Sequence, residues 1–286
     1  MKTSLHTHLR LARASNLPTT WSNVLCALLL VGGFSWGAFL GALLAVSLFY
    51  IGGMYLNDWR DAEYDRQHRP ERPIPAKKIS RRAVFCLAAT YFVLALGISL
   101  ALQPGALWWS LGLIGCITFY DLDHKNNSMS PWVMGACRAL IYPWAASLAG
   151  QTFPVELWLA CLAAYSYTMG LTYIARGAGQ KLPTQLFLLA GLFLPAVLWG
   201  SQASENPLLL KLPALAVFLA WMGYCIRPWF SKTSGGRPSI GQLIAGLCFV
   251  DLLAISVAAP ITVAIPLLIA LFFISTLKFQ KIISGT

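Results

Sequence analysis

The strongest constraint on this chain is its succession of apolar runs, many close to the roughly 20 residues that a helix needs to cross a hydrocarbon core. They occupy residues 17–33, 36–56, 83–102, 107–120, 131–148, 154–174, 184–200 and 207–226, with a final stretch from 240 to 277. Lipid offers no partner to an unpaired backbone amide, so runs of this kind are built as helices. The last stretch is too long for one ordinary span, and Ala258, Ala259 and Pro260 in its middle suit a turn between two helices. The expected fold is all-α: a polytopic membrane bundle of nine or ten transmembrane helices. No hydrophilic interval is long enough to bury a core of its own, so residues 1–286 read as a single integral membrane domain. Composition agrees, with 57% hydrophobic and 11% charged residues.

Basic residues set the orientation. Lys2, Arg10 and Arg13, the segment from 60 to 82, Lys125, Arg176 with Lys181, and residues 227–237 alternate with loops almost devoid of charge. Basic loops stay on the cytoplasmic side, which puts the N-terminus and these loops there; the tail, with Lys278 and Lys281, joins them if there are ten spans. Topology alone accounts for the net charge of +11, so no nucleic-acid partner is expected. The first run follows a basic segment, as in a signal sequence, but further spans follow it and no clear cleavage site stands out, so it reads as a retained helix. The seven cysteines lie scattered in apolar runs, without metal-ligand or CxxC spacing, and read as small core residues.

Charge is concentrated at one place. Of the ten acids, five (Asp58, Asp61, Glu63, Asp65 and Glu71) fall in one short segment. If the second helix continues through it, a turn of about 100° per residue puts Asn57, Asp58, Asp61 and Asp65 on one face and Glu63 elsewhere. Three carboxylates are then expected to converge. Hard oxygen donors without histidine or thiolate suit Mg2+, which takes one or two carboxylates, waters and phosphate oxygens. Arg66, Arg69, Arg72, Lys77, Lys78, Arg81 and Arg82 follow at once, and guanidinium forks match phosphate oxygens. Salt bridging at a solvated helix end is the plainer reading, but it does not explain why the acids share a face.

The run Asn57-Asp58-Trp59-Arg60-Asp61-Ala62-Glu63-Tyr64-Asp65 fits NDxxDxxxD, and Arg72-Pro73-Ile74-Pro75 follows as RPxP. With Arg13 and Asn16 before the first helix and Tyr120 to Lys125 after the fourth, the chain resembles the UbiA superfamily of intramembrane prenyltransferases. Residues 17–24 and one missing motif look most like its EboC-type branch. The resemblance implies that Asn57, Asp58, Asp61 and Asp65 form the catalytic motif, that Asp58, Asp61 and Asp65 hold Mg2+, and that Arg13, Arg72 and Lys125 bind the diphosphate of a prenyl diphosphate. It further implies an isoprenoid tail in a lipid-facing cavity, a small-molecule acceptor, membrane lipids as surroundings, and a bacterial cytoplasmic membrane as the setting.

The family's second aspartate motif, expected after the sixth helix, is missing: the chain reads Tyr173-Ile174-Ala175-Arg176-Gly177-Ala178-Gly179-Gln180-Lys181 there. Arg176 and Lys181 are candidates to replace that metal with fixed positive charge. Arg138, within an apolar run, is expected to face a cavity or a partner and is the remaining diphosphate-binding candidate. Asp251, also in an apolar run, needs a proton, a partner or water; structural pairing is the simpler role and acceptor activation the other. Asp121 and Asp123 read as solvated loop acids, and His6, His8, His68 and His124 as surface residues. Prenyl transfer is therefore the expected activity, with phosphoribosyl or another diphosphate-leaving-group transfer to a polyprenyl lipid, or a degenerate lipid carrier, as rivals.

Overall fold

The computed structural model describes residues 4–123, 127–178, 182–202, 206–230, 238–259 and 262–283. Among the described residues all regular secondary structure is helical, α-helices with short 3-10 turns, and no strand is present. In chain order the helices are α1 (Leu5–Leu11), α2 (Leu17–Leu30), α3 (Trp36–His68), α4 (Arg81–Leu102), α5 (Leu107–Asp123), α6 (Ser130–Ala139), α7 (Ile141–Leu148), α8 (Val155–Ala175), α9 (Leu182–Ser201), α10 (Leu208–Ile226), α11 (Ile240–Ala258) and α12 (Ala264–Ile282). The final apolar stretch is thus two helices, although Pro260 itself lies outside the described residues.

Among the described residues, seven helices are long and apolar enough to span a membrane. The sequence-based count of nine or ten took in three further runs. The first forms only the 14-residue α2. The fifth is broken into α6 and α7, because Pro143 has no N–H to bond the Ala139 carbonyl where α6 ends. The third is α10.

The length of α3 positions the site. Ser35 caps its start, accepting from the Ala38 N–H at 3.2 Å. Its 33 residues reach about 50 Å at 1.5 Å per residue, against a hydrocarbon core of about 30 Å. The last third therefore continues beyond the apolar run, and residues 57–65 sit on it. Past Arg69 the chain turns back through Pro73 and Pro75, held by the Ala76 N–H on the Arg72 carbonyl at 2.9 Å. It re-enters as α4, which packs along α3.

α2 and α11 are central: α2 packs on α3, α7, α11 and α12, and α11 on α2, α8, α10 and α12. Leu40, Val93, Trp108, Val197 and Leu267 point outward, as lipid-facing residues do. Lipid tails compete with apolar contacts, so hydrogen bonds between helices help to fix the packing. Trp144 Nε1 donates to Ser110 Oγ at 3.1 Å and Trp21 Nε1 to Ser47 Oγ at 2.9 Å. Asp251 is fully buried on α11 and accepts from Ser22, Asn23 and Tyr142, joining α2, α7 and α11. Structural pairing is thus its role in this fold. Replacing Asp251 by alanine would remove the buried acceptor shared by three donors on α2 and α7, so Asp251→Ala is expected to cost about 3 kcal/mol. It should unfold in detergent well below Asp251→Asn; equal midpoints would contradict this role.

Candidate active site

One face of α3 carries the site. Phe49, Gly53, Asn57 and Asp61, four residues apart, all line a cavity of about 720 Å³. At Gly53 the helix comes close to α5: a Cβ there would lie 2.8 Å from Ile117 Cγ2. One turn further on, that approach lets Asn57 reach across, its Nδ2 donating to Asp121 Oδ1 at 3.0 Å. Asn57, Asp58 and Asp65 are buried and Glu63 is exposed, so the acids share a face as the helical arc requires.

They do not converge on one point. Asp58 turns to arginines: its Oδ1 lies 3.3 Å from Arg13 Nη2 and 3.3 Å from Arg72 Nη1. It lines a polar pocket of about 330 Å³ with Arg10, Arg69 and Glu71. Asn57 and Asp61 line the larger cavity, and Arg13, Arg69 and Arg72 line both. Asp65 is buried further along α3 and acts electrostatically on Arg72. Among the described residues no three carboxylate, histidine or cysteine side chains form a ready-made metal cage; the expected meeting of three carboxylates gives way because two arginines claim Asp58.

Arg13 bridges the motif, since its Nη2 also donates to Asn57 Oδ1 at 3.0 Å. It is held in the left-handed region, φ 42°, between α1 and the turn entering α2, a conformation costing a non-glycine residue about 1 kcal/mol. Its Nε is buried with no hydrogen-bond partner among the described residues. Burial, the largest influence, lowers the Arg13 pKa, but Asp58, Tyr50, Asp121 and Tyr120 together raise it above its ordinary value. Burial lowers the Arg72 pKa, with Asp58 pulling it back up. Arginine is so strongly basic that both remain cations at neutral pH.

Arg176 also lines the larger cavity, at the end of α8, donating to Ser130 Oγ and to the Asn127 carbonyl. Arg138 lines it too, with its guanidinium on α2: Nη1 donates to Asn23 Oδ1 at 2.8 Å and Nη2 to Thr19 Oγ1 at 3.3 Å. It therefore both pairs helices and borders the cavity. Lys125 and Lys181 lie outside the described residues.

Asp121 is the residue that sequence reasoning misjudged. The fifth helix runs three residues past the apolar run, so Asp121 lies on α5, 2% exposed, with Oδ2 lacking a hydrogen-bond partner among the described residues. The missed signal was its spacing of four from Ile117 and eight from Leu113, both of which line the same cavity. His8 is likewise no free surface group, its Nδ1 lying 2.7 Å from Tyr55 Oη. Cys116 and Cys137 approach to 3.4 Å across α5 and α6.

The sequence model of the UbiA prenyltransferase family matches residues 15–177, more than half of the chain. The chain belongs to the UbiA prenyltransferase family. A 4-hydroxybenzoate octaprenyltransferase of Azotobacter vinelandii is 26% identical over 210 residues, covering 71% of this chain and 66% of that protein. The bacteriochlorophyll synthase 34 kDa chain of Chloroflexus aurantiacus is 29% identical over 163 residues, covering 54% of this chain and 49% of that one. The chain spans about half to two thirds of the length of the curated relatives it matches. A solved UbiA homolog from Archaeoglobus fulgidus superposes with a TM-score of 0.62 at 15% identity, covering 96% of this chain and 99% of that one. The same homolog bound to GPP and Mg2+ gives 0.53 at 12% identity, covering 96% and 99%. This UbiA-family protein shares their fold.

Glycine adopts the Arg13 backbone without strain. Arg13→Gly is therefore expected to melt no lower than Arg13→Ala while losing the link between Asn57 and Asp58 equally. A markedly lower melting point for the glycine variant would contradict the strained-arginine account.

Proposed function

We propose that this UbiA-family protein transfers an isoprenyl group from an allylic prenyl diphosphate to a small acceptor, with Mg2+ as cofactor. The observation that carries this reading is the mixed lining of the larger cavity. Arg13, Arg69, Arg72, Arg176, Asn57 and Asp61 line it together with Phe49, Leu113, Ile117, Leu171 and Leu247. A ligand with an anionic head and an apolar tail matches both sets, and the buried Arg13 Nε lacks the acceptor that a phosphate oxygen would supply.

The oxygen donors fit Mg2+, which needs only one or two carboxylates once waters and diphosphate oxygens join it. Of the three acids expected to serve it, Asp61 faces the larger cavity as the proposed direct carboxylate, while Asp58 fixes Arg13 and Arg72 through Oδ1, Asp65 supports Arg72 electrostatically, and Asn57 orients the group. When bound, the ion stabilises negative charge developing on the departing diphosphate. Arg13, Arg72, Arg176, Arg138, Lys125 and Lys181 are the proposed cationic partners of the same diphosphate, arranged in advance of the reaction. The allylic C–O bond breaks with its electron pair leaving on the diphosphate, and the acceptor forms the new bond to carbon and gives up its proton. The apolar lining keeps competing water from the allylic carbon.

The names of the relatives favour prenyl transfer over phosphoribosyl transfer. Their bacterial sources and the basic loops support a bacterial cytoplasmic membrane with the charged end of the cavity on the cytoplasmic side. Purified protein given magnesium, labelled prenyl diphosphates and an acceptor panel including 4-hydroxybenzoate should release diphosphate and form a prenylated product. Chelation with EDTA should abolish this, Asp61→Asn should lower turnover at least about 100-fold, and Arg176→Ala should weaken donor affinity. Tight prenyl diphosphate binding without release, for every donor and acceptor, would leave a lipid carrier instead.

A further inference from the structure

Asp121 is an acid that the fold buries with only part of its hydrogen-bonding capacity met. It is 2% exposed, and among the described residues its one hydrogen-bond donor is Asn57 Nδ2, on Oδ1. Oδ2 has no hydrogen-bond partner among the described residues. A buried carboxylate oxygen left in this way is costly, and native structures keep such an atom where an ion, a water or a proton completes it. The surroundings favour a cation. Asp121 shares its cavity with Asp61, contributed by α3, and two acids facing one space repel unless positive charge lies between them. Arg13 acts on Asp121 electrostatically, but its Nη2 is committed to Asn57 and Asp58 at 3.0 and 3.3 Å, and among the described residues no cation sits within ion-pair distance of Asp121.

We propose that Asp121 is a ligand of the divalent cation, so that the metal site spans α3 and α5, with Asp61 and Asp121 as its opposed carboxylates. Asn57 then acts as a positioning residue, holding Oδ1 of Asp121 so that Oδ2 faces the ion. The close approach at Gly53 brings the two helices near enough for one ion to serve both. Where α8 ends, Arg176 stands without any acid in the run from 173 to 181, and the second acidic pole comes from α5 instead. This inference rests on the metal-diphosphate reading of the cavity, and its test separates the two.

The full-length protein in detergent is titrated with Mn2+, alone and with inorganic diphosphate, following the loss of the free-ion EPR signal. Wild type should take up Mn2+ when diphosphate is present. Asp121→Asn keeps the size of the side chain and an oxygen for Asn57, so it should retain its melting point yet bind Mn2+ at least about 10-fold more weakly, with Asp121→Ala weaker still. Glu63→Gln, which removes an exposed acid paired with Arg66, should bind as wild type does. Unchanged affinity in Asp121→Asn would overturn the ligand assignment and leave the transferase reading intact. An equal loss in Glu63→Gln would overturn it as well, because the effect would then be one of net charge. Failure of wild type to take up Mn2+ under either condition would overturn the metal-diphosphate reading and this inference with it.

Discussion

Everything at the charged end of this bundle depends on Asp58. Its Oδ1 holds Arg13, from the turn before α2, and Arg72, from the turn after α3, each at 3.3 Å, so one buried carboxylate ties three chain segments together. The link is possible because α3 outruns the membrane: a helix that ended with its apolar run would present neither Asp58 nor Asp61 on the inward face. The arginines gathered in this way border both the polar pocket and the larger cavity. A single ion-pair system therefore organises the cationic lining that a diphosphate requires.

A second constraint lies deeper. Apolar contacts alone choose weakly among helix packings in lipid, so polar links carry specificity there. Asp251 fixes Asn23, and Asn23 accepts from Arg138 at 2.8 Å. A fully buried acid thereby sets the position of a cavity-lining arginine without lining the cavity itself. The break between α6 and α7 serves the same end, placing Arg138 in the last turn of α6.

Much of this was legible in the residues. Apolar run lengths identified nearly every helix, and helical periodicity put Asn57, Asp58, Asp61 and Asp65 on one face. Pattern could not tell what each side chain would face, because that depends on contacts far apart in sequence. Asp58 was read as converging with its neighbours, yet Arg13, forty-five positions earlier, claims it. Asp121 was read as a loop acid because hydropathy ends at Tyr120, whereas the helix does not. Arg138 and Asp251 were recognised as needing partners; only the packing of α2 and α7 supplies them.

On the proposed reading, an anionic head sits among Arg13, Arg72 and the acids of α3 while its tail occupies the apolar lining. A crystal structure with Mn2+ and a hydrolysis-resistant prenyl thiolodiphosphate would test it most directly, with anomalous scattering locating the ion. The predicted result is a manganese peak beside Asp61, the diphosphate on Arg13 and Arg72, and the prenyl chain against Phe49, Ile117 and Leu171. A diphosphate bound elsewhere, or a prenyl chain lying outside this cavity, would rule that placement out.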